Sequence, residues 1–197
     1  GRDDGKKAGE YSPLFYNSKK FNALKSGWFW LSETPEKPGL GWDAACNRVC
    51  TWLLLETDKK DQKFMVFNTH FDHMGTVART ESAKLILRKI KELNPANLPV
   101  ILTGDFNLTP EQEPIGVITK ELKDACSISK NPPYGPTGTF NGFKFDSPLK
   151  DRIDYIFVNN QVEVKQYAVL SDSKDLHYFS DHLPVFVNVE LKTPAKK

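Results

Sequence analysis

The sequence predicts a mixed α/β protein in which two layers of sheet pack together. Three observations carry this reading. Apolar runs of strand length recur along the chain, one long amphipathic stretch has helical periodicity, and 197 residues suffice for one sizeable core but not two. Apolar residues make up 39% and aromatics 12% of the chain, which excludes a disordered tail and favours bulky core filling.

In chain order, strands are expected at Tyr11 to Tyr16, Trp28 to Leu31, Val49 to Leu55, Phe64 to Phe71, Val100 to Thr103, Ile153 to Val158, Val162 to Leu170 and Val185 to Leu191. Val49 to Leu55 is almost continuously apolar, as a strand covered on both faces should be, whereas Val185 to Val189 tends towards alternation. Ala83, Ile86, Leu87, Ile90 and Leu93 recur at helical spacing with lysines and an arginine on the opposite face, so a helix is expected over Thr76 to Leu93. Asn94-Pro95 ends it. A second, weaker helix is expected through Ile115 to Leu122. Glu33 to Gly41 and Asn131 to Gly142 are Pro- and Gly-rich and read as surface loops, with Trp42 and Tyr134 at their borders available to stack on a ligand. Trp28 and Trp30 alternate as core residues would. Residues 1–192 form one domain, and 193–197 a flexible tail.

Composition excludes several classes. With 27 Lys+Arg against 25 Asp+Glu, the formal charge is +2, too little to coat nucleic acid generally; paired lysines such as Lys19-Lys20 and Lys59-Lys60 read as solvated surface. Cys46, Cys50 and Cys126 are odd in number and lack metal-site spacing, so free thiols are expected. No run has the length of a transmembrane helix. The expected protein is a soluble monomer, cytoplasmic, or exported if a signal peptide was removed.

The informative feature is a set of polar residues at the ends of apolar strands. Val100 to Leu102 leads into Thr103-Gly104-Asp105-Phe106-Asn107, and in an extended backbone Asp105 and Asn107 point the same way. Asn68 and His70 project together at the end of Phe64 to Phe67. Asp154 shares a strand face with Ile156 and Val158, where a carboxylate is costly unless paired. Ser180-Asp181-His182 precedes the last strand. Alone, each is as readily a turn or a satisfied core group. Phosphoryl transfer uses all of them: oxygen ligands for a hard divalent ion, donors for a charged phosphate, and an imidazole for protons at the reacting centre.

On Asn68-Thr69-His70, Gly104-Asp105-Phe106-Asn107, Arg152-Ile153-Asp154-Tyr155-Ile156 and Ser180-Asp181-His182, in this order, the sequence resembles the endonuclease/exonuclease/phosphatase family over nearly its whole length. The resemblance implies a four-layer α/β sandwich, two mostly antiparallel sheets flanked by helices, and metal-dependent hydrolysis of a phosphodiester or phosphomonoester with magnesium or manganese. The substrate is then a phosphoester, in nucleic acid or in a small phosphorylated molecule. It also implies roles. Asp105 and Asn107 position the attacking water and contact the phosphate, Asp154 orients His182, Asp181 is a metal-linked or water-orienting acid, and His70 is a second phosphate-facing histidine partnered by Glu10. Asn68 and Arg48 are candidate substrate contacts, Arg48 because a guanidinium suits phosphate. Gly1-Arg2-Asp3-Asp4-Gly5, Gly9-Glu10-Tyr11-Ser12-Pro13, Phe29-Trp30-Leu31-Ser32-Glu33-Thr34-Pro35 and Gly41-Trp42-Asp43 resemble a bacterial branch. The family's upstream Asn and the Gln-Glu that supplies the principal metal ligand have no counterpart here, so Gly1 reads as a cut through the domain. The alternative is a noncatalytic binding domain or inert fragment. A serine hydrolase is disfavoured, since no Gly-x-Ser-x-Gly elbow is present.

Overall fold

The structure, a computed structural model, describes residues 1–58 and 62–192; the tail expected at 193–197 and the Lys59-Lys60 pair lie outside them. Strands β1 (Phe21–Trp30), β2 (Val49–Thr57), β3 (Lys63–His70), β4 (Val100–Asp105), β5 (Lys123–Asp124) and β6 (Asp154–Val158) form one sheet in the order β1-β2-β3-β4-β6-β5. Among the described strands only β3 and β4 pair in parallel, because the helix α1 (Thr76–Leu93) lies between them in sequence and returns the chain to its start. Strands β7 (Val162–Val169) and β10 (Val185–Leu191) form a second, antiparallel sheet, and β8 (Ser173–Lys174) and β9 (His177–Tyr178) a short hairpin.

The centre of the large sheet, β3, β4 and β6, is covered on both sides, which explains its apolar strands, whereas the edge strand β1 is largely exposed. From β3 and β4, Met65, Phe67, Val100 and Leu102 face α1 and the shorter helix α2 (Glu113–Thr119), meeting Leu85, Ile86, Ile90, Ile115 and Ile118 in the main core. From β6, Tyr155 and Phe157 join that core while Ile156 and Val158 face the second sheet. There they meet Val162, Val164, Val169 and Leu183, with Val185, Val187 and Val189 half-buried behind them. The two-layer sheet expectation and the α1 boundaries hold.

Helix α1 starts without a cap from its own N-terminal side chain. Asp43 supplies one from a distance, its Oδ1 accepting from Ala78 N at 2.7 Å and its Oδ2 from Val77 N at 3.2 Å. A carboxylate there also faces the positive end of the helix dipole. The Gly41-Trp42-Asp43 motif is therefore structural, and Trp42 packs against the main core instead of standing free for a ligand.

Three further expectations change. Tyr11 to Tyr16 forms no strand: Pro13 has no amide to donate, and Phe15 is 91% exposed. Trp30 is buried, but Trp28 is mostly exposed. Asn131 to Gly142 is not a surface loop throughout. Tyr134 bridges Ala168 through its backbone, and Thr139 and Asn141 are buried.

Candidate active site

Strand alternation and register assemble most of the site. On β3, β4 and β6 the residues facing the second sheet include Val66, Asn68 and His70, then Ile101, Thr103 and Asp105, then Asp154, Ile156 and Val158. His70 pairs with Asp105 across β3 and β4, and Asp105 pairs with Asp154 across β4 and β6. One row across three strands thus reads His70, Asp105, Asp154, at the edge where the apolar filling between the sheets stops. The close approach depends on Gly104, where a Cβ would lie 2.1 Å from Thr69 O.

The second sheet contributes His182, just before β10. Its Nδ1 lies 2.8 Å from Asp154 Oδ2, and its Nε2 lies 3.8 Å from Asp105 Oδ2. His70 Nε2 approaches the same Asp105 oxygen at 3.2 Å. Asp105 and Asn107 converge, but not through the extended backbone expected. β4 ends at Asp105, whose Oδ1 accepts from Asn107 N at 2.8 Å, and Asn107 turns left-handed with φ 51°. The Asn107 amide then donates to Phe71 O at 3.0 Å and lies 3.1 Å from His70 Nε2. A neutral His70 ring serves one partner at a time, as acceptor from Asn107 or donor to Asp105, and the charge on Asp105 decides which.

These contacts set the protonation states. Burial pushes the Asp105 carboxyl up to about 6, and the neighbouring Asp154 charge acts in the same direction. Burial holds the His70 imidazole down to about 4, with the Arg48 guanidinium adding to it. The hydrogen bond to Asp154 raises His182 above its ordinary value despite partial burial. Two imidazoles beside one carboxylate are thereby pushed apart, one towards neutral and one towards charged, the pattern expected where an acid and a base have separate tasks.

Arg48 is 5% exposed. Its Nη2 lies 3.2 Å from His73 Nδ1, its Nε 3.6 Å from Asp72 Oδ2 and its Nη1 3.8 Å from Glu10 Oε2. Arg48 Nε and Nη1 are buried without a hydrogen-bond partner among the described residues, so donor capacity is held ready beside His70. Glu10 Oε2 also lies 3.9 Å from His70 Nδ1 and pairs with Arg2, so the structure places Glu10 beside His70. Asn68 ties the Glu10 segment to the sheet, donating to Pro13 O at 3.0 Å while its Oδ1 accepts from Thr103 Oγ1. Nothing in the sequence marks Asp72 or Thr139, and Arg2 stands out there only within the Gly1-Arg2-Asp3-Asp4-Gly5 motif. A lone Asp beside His73 or a Thr in a Gly-Thr-Phe turn carries no signal until the fold places it.

Asp105, Asp154 and His182 bring one ligand atom each within 4.8 Å of one another, whereas Asp181 is not part of that cluster. Its backbone carbonyl accepts from Asn141 N and Gly142 N. A second grouping, Cys46, Asp72 and His73, is poorly suited to a cation. Asp72 accepts from the amides of Cys46, Met74 and Gly75, and Arg48 lies against both Asp72 and His73. Burial opposes ionisation of Asp72, yet these amides outweigh it and hold the carboxyl well below its usual range; it organises the loop that seats Arg48.

Comparison with known proteins now decides the family. The sequence profile described as the endonuclease/exonuclease/phosphatase family matches residues 13–182. The chain belongs to that family. Among solved structures, a mannosyl-6-phosphatase from Bacteroides thetaiotaomicron is 41% identical, with TM-score 0.91, over 97% of this chain and 75% of that one. An endonuclease/exonuclease/phosphatase from Bacteroides vulgatus is also 41% identical, with TM-score 0.92, over 98% and 74%. An uncharacterised protein of Acanthamoeba polyphaga mimivirus is 32% identical over 97 residues, 48% of this chain and only 36% of the viral protein. As in other members of the endonuclease/exonuclease/phosphatase family, the fold is mixed α/β with packed sheets, and the chemistry of such members is hydrolysis of phosphoester bonds. No helix among the described residues is long and apolar enough to cross a membrane.

Proposed function

We propose that this protein is a metal-dependent phosphoesterase that hydrolyses a phosphomonoester on a sugar hydroxyl by in-line attack of water. The observation that carries the reading is the row His70, Asp105, Asp154 capped by His182 and joined by Asn107, since it places two carboxylates, an amide and two differently tuned imidazoles around one point. The sugar monoester is favoured by the 41% identity to a mannosyl-6-phosphatase and by a net charge of only +2, which supports no long nucleic-acid footprint.

Magnesium or manganese fits the arrangement in charge. Asp105 and Asp154 are juxtaposed carboxylates, and the upward push on Asp105 is what a neighbouring cation would relieve. Magnesium is commonly held by one or two carboxylates with substrate phosphate and water completing its shell, and Asp105 is the protein ligand best placed for it, with Asp181 the sequence-derived candidate. The ion would offset charge on the phosphate. The rest falls to the chain. Arg48 and the neutral His70 hold non-bridging oxygens, Asp105 and Asn107 align water, and His182, oriented by Asp154, gives a proton to the leaving alkoxide.

The protein is expected to release phosphate from mannose 6-phosphate with magnesium or manganese and to stop with a chelator. Arg48→Ala should raise KM about 10- to 100-fold with a smaller change in kcat, the range for a lost charge-assisted hydrogen bond. Turnover only on a nucleic-acid substrate would replace the sugar ester with a nuclease reading. No turnover on any phosphoester, with calorimetry showing no magnesium-linked binding of a phosphate ester, would favour the noncatalytic alternative.

A further inference from the structure

Asp154 and His182 sit in different sheets, so strand pairing does not set the distance between them. Asp154 opens β6 in the six-stranded sheet, and His182 precedes β10 in the two-stranded one. The connection runs through Gly138 to Gly142. Thr139 is fully buried, and its Oγ1 accepts from the backbone amides of Ile153 and Asp154, each at 3.1 Å. Its carbonyl accepts from Leu183 N at 2.7 Å. One residue therefore grips the start of the Asp154 strand with its hydroxyl and the chain just past His182 with its backbone.

The grip continues next door. Phe140 forms a bridge with His182, and the two rings meet edge to face at 5.1 Å. Asn141 N donates to Asp181 O at 2.8 Å, and its side-chain amide donates to Ser180 O at 3.0 Å. Both faces of the catalytic pair are thus fastened to one short segment. A threonine suits this post because its branched Cβ restricts χ1 and holds the hydroxyl in one direction. A buried hydroxyl already engaged by two amides has little freedom to drift, since breaking either bond leaves a buried donor without a partner.

We propose that Thr139, supported by Asn141, is a positioning residue that holds Asp154 and His182 at the 2.8 Å separation hydrolysis needs. The proposal rests on the phosphoesterase reading above. Thr139 touches neither water nor phosphate. It acts by keeping the imidazole aimed at the leaving group, and small misplacements of such a group are costly.

Thr139→Val removes the acceptor at nearly constant size. On mannose 6-phosphate, whose alkoxide leaving group needs a proton, kcat is expected to fall about tenfold or more with KM changed less than about twofold, in keeping with a misaligned acid. On p-nitrophenyl phosphate, whose leaving group departs without a proton, the loss should largely vanish. Thr139→Ser should restore alkyl-ester turnover, and Thr139→Val should cost nothing further in a His182→Ala background. If Thr139→Val does not fold, Asn141→Ala should show the same dependence on the leaving group. Equal losses on both esters, or full additivity with His182→Ala, would overturn the positioning role while leaving the phosphoesterase reading intact. No effect of His182→Ala itself on the alkyl ester would overturn the positioning role together with the acid role of His182, whereas no turnover of any phosphoester by the unaltered protein would overturn the phosphoesterase reading.

Discussion

Replacing His182 with alanine is expected to lower kcat on an alkyl phosphate by about a hundredfold or more, the lower range for a positioned acid or base, while the fold persists. The imidazole is partly exposed and meets the Phe140 ring edge to face. Its Nδ1 is committed to Asp154 at 2.8 Å, which leaves Nε2 as the atom that can serve substrate. The Asp154 hydrogen bond raises the pKa of His182, so more of the ring is protonated at neutral pH than for a free histidine. Catalysis by that proton is present at lower pH and is lost as pH rises through the raised value. The falling limb of a pH–rate profile should accordingly lie above about 6.5, the ordinary histidine value, and Asp154→Asn should move it down by removing the charge that raises it. Turnover unchanged in His182→Ala would remove the residue from the reacting centre.

The fold was legible because its central strands are covered on both faces. Val100 to Leu102 and Phe64 to Phe67 have no polar face to show, and α1 announces itself through Ala83, Ile86, Leu87 and Ile90. Tyr11 to Tyr16 misled for a physical reason. Its aromatics suggest a strand, yet Phe15 and Tyr11 are largely exposed and no neighbouring strand accepts them. The site was legible to the extent that it lies at strand ends. Alternation places His70, Asp105 and Asp154 on one face, and register then makes them a row. What sequence could not show is whatever depends on one segment meeting another far away. Asp43 caps a helix more than thirty residues on, Arg48 is seated by Asp72, and Thr139 joins two sheets. A Pro- and Gly-rich stretch reads as surface because its composition describes the turns, whereas the burial of Thr139 and Asn141 between them follows from tertiary contacts alone.

Asp105→Asn is expected to abolish hydrolysis and, without metal, to stabilise the protein. The two effects have one cause. Burial and then the Asp154 charge push the Asp105 carboxyl from an ordinary 3.8 up to about 6, so the folded state favours its protonated form. Stability from this group is therefore fully present below the unfolded value, declines as pH rises from about 3.8 to about 6, and is gone at neutral pH. A difference of about two units corresponds to about 3 kcal/mol at most. The asparagine removes the disfavoured charge while its side-chain oxygen can still accept from Asn107 N, as Asp105 Oδ1 does. In a chelator at pH 7, the variant's Tm should rise by a few degrees, at about 2–4 °C per kcal/mol for a domain of this size. Near pH 4 the advantage should disappear. Adding magnesium should raise the Tm of the unaltered protein and leave Asp105→Asn almost unmoved, because the cation gains its purchase from the carboxylate that the fold alone disfavours. A lower Tm for the variant in chelator would instead make Asp105 a structural acceptor, and its place at the centre of the row would need another explanation.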